Sequence, residues 1–180
     1  MRFCFLGLIF LFCAGALPAQ EQWEEYQSYE GRFRILVPGQ LKQQVDSFET
    51  PLGKLAYHVF FHQPAEKDSA DNLIYMVSYC DYPPLTLDED STELLNEFFE
   101  ATIESAVESV GGELAYADER PYFGHPGRIW RIDYLNGQAV IKTRALVAGN
   151  RYYALQTATV KGRSLNTASS RFMDSFRLLE

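Results

Sequence analysis

Cysteine is scarce in this chain: there are three in 180 residues, and two of them, Cys4 and Cys13, fall within the first 19. If that leader is removed, Cys80 stands alone and no internal disulfide can form. A lone Cys in an apolar strand reads as an inert buried side chain or, alternatively, as a thiol that links a partner. Beyond residue 19 no apolar run approaches the roughly 18 residues that a membrane-spanning helix needs. Basic residues are outnumbered, 16 Lys and Arg against 24 Asp and Glu, and a surface of that sign repels phosphate backbones, which argues against nucleic-acid binding. G-x-S-x-G, S-x-x-K and a Gly-rich phosphate loop are all missing, so no local signature of acyl or phosphoryl transfer is present.

The leader itself is informative. Arg2 gives a short positive start, Phe5 to Phe12 is an unbroken apolar run, and Leu17-Pro18-Ala19 follows the small residues Ala14, Gly15 and Ala16. That order is the pattern of a cleavable signal peptide over residues 1–19. A lipid anchor on Cys13 is the rival reading, but Phe12 is bulky where lipoprotein processing requires a small residue. Cleavage after Ala19 leaves 180 − 19 = 161 residues starting at Gln20, with a formal charge of 15 − 24 = −9 once Arg2 is lost. The expected location is periplasmic or extracellular. A mature chain of this size buries about 70% of its unfolded surface, which makes residues 20–180 one domain whose core is supplied by an aromatic content of 14%.

Alternating apolar positions predict strands at Phe33 to Val37, Leu55 to Phe61 and Leu73 to Asp81, with Tyr26 to Tyr29 as a hairpin partner and Lys42 to Phe48 as a polar edge strand. One long amphipathic helix is predicted from Ser91 to Val110, with Leu95, Phe99, Ile103 or Thr102, Ala106 and Val110 on one stripe. Asp90 with Glu93 resembles a capping box, and Gly111-Gly112 ends the helix. Four more strands follow, near Glu113 to Tyr122, Arg128 to Leu135, Gln138 to Val147 and Arg151 to Val160. A second helix is expected over Thr167 to Phe176. Two-residue turns at Asn136-Gly137 and Gly149-Asn150 set the register of the last three strands. Counting outward places Trp130, Ile132 and Tyr134 with Ala139, Ile141, Thr143, Ala145, Tyr152, Ala154 and Ala158 on the face that the long helix covers. The class is α+β, an antiparallel sheet flanked by helices.

Two segments carry a family resemblance. Tyr29-Glu30-Gly31-Arg32-Phe33-Arg34-Ile35-Leu36-Val37-Pro38 and Ser170-Arg171-Phe172-Met173-Asp174-Ser175-Phe176-Arg177 resemble the opening and closing segments of PsbP-like domains. That superfamily also holds the Mog-type Ran-binding proteins and many secreted bacterial domains. The resemblance implies a PsbP-like layered fold used as an accessory or binding module and not as an enzyme. It carries no functional residue onto a matching position here.

The remaining constellations are weak as chemistry. His58 and His62 would share a zinc on a helix, but on a strand they stand about 13 Å apart at 3.3 Å per residue. Asp88, Asp90 and Thr92 begin like a calcium loop, yet Glu93 and Phe99 occupy the positions that need Gly and Glu. Cys80 and His58 lie on strands that could pair, which keeps open an unrecognised hydrolase with a scattered active site. No catalytic residue, metal ligand or cofactor is assigned. The register instead sets Arg131 opposite Lys142 and Ile129 opposite Arg144 on the second sheet face. Three cations there, with Tyr153 and Thr157 beside them, are the candidate binding residues, for an acidic protein or an anionic ligand. The expected function is a secreted or periplasmic non-enzymatic binding or assembly-accessory module.

Overall fold

Alternating side chains give each strand one face for a core, and the computed structural model, which describes residues 23–51, 53–87 and 90–179, shows where each face goes. The leader and Asp88 lie outside those residues. Strands β1 (Glu24–Ser28) and β2 (Phe33–Val37) form the expected hairpin, joined by β3 (Lys42–Thr50), β4 (Gly53–His62) and β5 (Ile74–Asp81). Helix α1 (Thr92–Val110) precedes β6 (Glu113–Glu119), β7 (Gly127–Tyr134), β8 (Ala139–Ala148) and β9 (Arg151–Val160). Helix α2 (Thr167–Ser175) and a two-residue strand β10 (Arg177–Leu178) close the chain.

Seven strands make the main sheet, in the order β3-β4-β5-β9-β8-β7-β6, and every pairing is antiparallel. Both expected turns hold the register: Tyr134 pairs Ala139 and Ala148 pairs Arg151. Leu135, Asn136 and Gly137 all have positive φ, 52°, 55° and 75°, a left-handed run that Gly tolerates freely and Asn better than most residues.

Helix α1 lies on one face of this sheet. Leu95, Phe99 and Ile103, its buried stripe, meet Trp130, Ile132, Ala145, Val147, Tyr152 and Ala154, and the small Ala145 and Ala154 let the helix come close. The start of α1 differs from expectation. Ser91, not Asp90, is the N-cap residue, and its side chain makes no capping bond. Its end is as expected, with Gly111 left-handed at φ 56° and its N–H on Glu108.

The opposite face carries the larger difference. It is covered by α2 together with a second, three-stranded sheet, β1-β2-β10. Phe33, Ile35 and Val37 from β2 and Phe172 and Phe176 from the C-terminal segment pack there against Phe60, Tyr75, Val77, Tyr79, Leu146, Tyr153 and Leu155. One flank of the main sheet is therefore a helix and the other a helix plus a sheet. The N-terminal hairpin leaves the main sheet because the C-terminus supplies its partners: Arg177 pairs Arg34, Leu179 N–H donates to Arg32 O at 2.9 Å, and Leu36 N–H donates to Ser175 Oγ at 2.9 Å.

Candidate functional site

Arg131, Lys142 and Arg144 do project from one sheet face, as the register required, with Arg131 opposite Lys142. That face, read from the sequence as the binding surface, is not open. Tyr153 is 2% exposed and Thr157 0%, because α2 and the small sheet lie over them. Tyr153 Oη donates to Gly31 O at 2.8 Å, and the Thr157 hydroxyl pairs with Ser169 Oγ at 3.1 Å. Each cation already has a partner within the fold. Arg131 grips Asp133 through two nitrogens at 2.7 and 3.2 Å, Lys142 donates to Ser164 O, and Arg144 meets Asp174 at 2.8 Å and Met173 O at 3.2 Å. Hydrogen bonding from Arg131, reinforced by Lys161, holds the Asp133 carboxyl below its usual range. Burial, with Arg131 nearby, lowers the Lys142 ammonium. The like charges opposed on the sheet are balanced from inside.

The residues of the hydrolase reading are separated by the same alternation. Strands β4 and β5 do pair, but Tyr57 stands opposite Cys80 while His58 stands opposite Tyr79. Cys80 and His58 thus point to opposite faces. Burial, with Asp81 beside it, pushes the Cys80 thiol up to about 11, the reverse of what a nucleophilic thiolate requires. His58 stacks on Tyr79 with ring centroids 4.4 Å apart, and His62 Nδ1 lies 3.1 Å from Gln40 O. Among the described residues no three His, Cys, Asp or Glu side chains gather as metal ligands.

Among the described residues three concavities bear on binding. The largest, about 730 Å³, lies beside the β4–β5 loop and mixes Arg171 with Glu66 and Asp71. Arg171 stacks over Trp23 at 4.6 Å, and the mixed signs there favour no single ligand chemistry. The other two flank α1. On one side Phe98, Thr102 and Ala106 face Tyr57, Cys80, Trp130, Tyr152 and Gln156 across about 490 Å³. On the other, Ile103 and Val107 face Leu114 and Ala117 of β6 across about 540 Å³, with Glu100, Glu104 and Glu108 along the rim. Strand β6 ends the sheet, and all seven of its residues are exposed. Sequence reasoning missed both grooves, although the glutamates at i, i+4 and i+8 were a signal beside the apolar stripe.

No protein-family model and no curated protein sequence matches the chain. Among solved structures, the solution structure of cyanobacterial PsbP from Synechocystis sp. PCC 6803 aligns over 93% of this chain and 98% of its own, at 14% identity and a TM-score of 0.57. A Pseudomonas aeruginosa protein of unknown function, PA94, aligns over 78% and 85% at 10% identity with a TM-score of 0.37, a likeness too distant to carry an argument. The first likeness speaks to architecture alone, and at that level it agrees with the resemblance in residues 29–38 and 170–177: the chain has a PsbP-like fold.

Proposed function

We propose that the chain is an exported, non-enzymatic binding or assembly-accessory module that docks a basic amphipathic helix of a partner protein in the groove between α1 and β6. The observation that carries this reading is the pairing of an apolar floor with an acidic rim. Ile103, Val107, Leu114 and Ala117 form the floor, and Glu100, Glu104 and Glu108 form one wall. Leu114 is 45% exposed, an apolar side chain left for a partner to cover. The three glutamates stand on one row along about 12 Å of helix at 1.5 Å per residue. A partner helix with Lys or Arg at the same spacing and an apolar stripe beside it matches both features. The mature charge of −9 acts in the same direction, steering a basic partner toward the surface.

The test is a titration with a synthetic helical peptide carrying a Leu stripe flanked by Lys at i, i+4 and i+8. The mature protein binds it, and affinity falls as salt rises, because exposed charges are screened over about 8–10 Å at physiological ionic strength. The triple variant Glu100→Lys, Glu104→Lys, Glu108→Lys binds at least about tenfold more weakly, a loss of about 1.4 kcal/mol, with an unchanged melting temperature. Equal binding by the triple variant, or equal binding of a peptide with Glu in place of Lys, would overturn the reading.

A further inference from the structure

The other flank of α1 carries a second site. We propose that the trough between α1 and the β3–β4 hairpin binds a neutral, flat, largely apolar small molecule through an acceptor atom that takes the indole N–H of Trp130. This inference is independent of the acidic groove and uses different residues.

The donor is the starting observation. Trp130 is 1% exposed, and its Nε1 is buried with no hydrogen-bond partner in the fold. A buried N–H that gives up water and gains nothing is unfavourable, and such groups are rare enough in folded proteins to need a reason. Trp130 is among the residues that line the trough, so a small shift of its ring that opens the N–H to the trough gives an acceptor atom of a bound molecule as that reason.

The walls select the rest of the ligand. Tyr82 meets Phe98 edge-on with ring centroids 5.4 Å apart, and Phe98 meets Tyr152 the same way at 5.4 Å, an aromatic wall that offers flat apolar surface. The Tyr57 hydroxyl is paired with Ser78 Oγ at 2.6 Å and the Gln156 amide donates to Thr143 Oγ1 at 3.1 Å, so these lining groups already have partners. Among the described residues no charged side chain lines the trough. A charged ligand would therefore lose its hydration without finding a counter-charge, whereas a neutral one loses little. The cavity, about 490 Å³, falls within the range of small-molecule sites, about 300–1,000 Å³. It is open because α1 covers only part of its sheet face: Val59, Phe61 and Met76, on the same face by register, are half-buried and outside the core that α1 seals.

Coumarin is a suitable probe, being flat, neutral and equipped with a carbonyl acceptor, and naphthalene has nearly its shape without the acceptor. The chain has two tryptophans, so ¹⁵N-labelled mature protein gives two indole N–H resonances, assigned with Trp23→Phe. The expected result is that coumarin moves the Trp130 indole proton downfield and saturates, while naphthalene binds about tenfold more weakly and gives no downfield shift. Trp130→Phe removes coumarin's advantage over naphthalene, and coumarin-3-carboxylate does not compete. An unmoved Trp130 resonance at millimolar coumarin, the same shift with both probes, or shifts confined to Trp23 would overturn the proposal. The comparison of the two probes on the wild-type protein stands even if Trp130→Phe fails to fold. None of these outcomes bears on peptide binding at the acidic rim.

Discussion

Arg144 shows how a residue can be placed correctly and still be misread. Its strand, its face and its opposition to Ile129 follow from counting outward from Asn136-Gly137, and the structure has the same pairing. What the count does not contain is the layer above. Asp174 lies 30 residues away along the chain and Ser164, the partner of Lys142, 22, and no local pattern ties them to the strand. The guanidinium also sits 4.9 Å from the Tyr122 ring centroid, and its side chain is 16% exposed. Arg144→Glu therefore puts a carboxylate beside Asp174 and removes one of the two donors to the Met173 carbonyl, leaving only the Tyr122 hydroxyl. Hydrogen bonds to charged groups contribute about 1.5–3 kcal/mol, so a loss of about 2–3 kcal/mol is expected in urea unfolding. Arg34→Glu makes the contrast, because Arg34 and Glu25 are 47% and 51% exposed and such pairs contribute about 0–1 kcal/mol. Equal, small losses in both variants would mean that the cations are solvated and free after all.

At the scale of elements, the parts that repeat a period were legible and the parts that depend on distant partners were not. The stripe Leu95, Phe99, Ile103 sits on α1 where the 3.6-residue period put it, and each strand from β2 to β9 except the polar β3 and β6 carries its own apolar alternation. The hairpin β1–β2 was equally readable as a hairpin. Its sheet was not, because the burial alternation of β2 resembles that of any main-sheet strand, and its other neighbour, β10, is only two residues long. Both candidate grooves escaped for a related reason: each exists only where α1 stops covering the sheet, and helix placement across a sheet leaves no periodic trace. Phe99 is the place to test the packing itself. It is fully buried, against Trp130 and Tyr152 among others, and Phe99→Ala should cost about 3–5 kcal/mol. A variant as stable as the wild type would show that α1 does not seal this core.

On the scale of the whole molecule, the main sheet separates two kinds of surface. One side is closed by α2 and the small sheet, with its cations paired internally. The other is half closed by α1, which leaves an acidic groove against β6 and an uncharged aromatic trough against β4 and β5. A binding role placed on Arg131, Lys142 and Arg144 would have to displace partners within the fold, while the two flanks of α1 are open as they stand. The proposed binding role rests on incomplete coverage: the helix seals the core with one stripe and leaves its two flanks open. The most direct measurement is backbone amide hydrogen exchange of the mature protein with and without the Leu/Lys helical peptide. Exchange should slow along the second half of α1 and along β6, around Ile103, Val107, Leu114 and Ala117, with no change around Lys142 and Arg144. Protection centred on Arg131, Lys142 and Arg144, or no protection at saturating peptide, would contradict it.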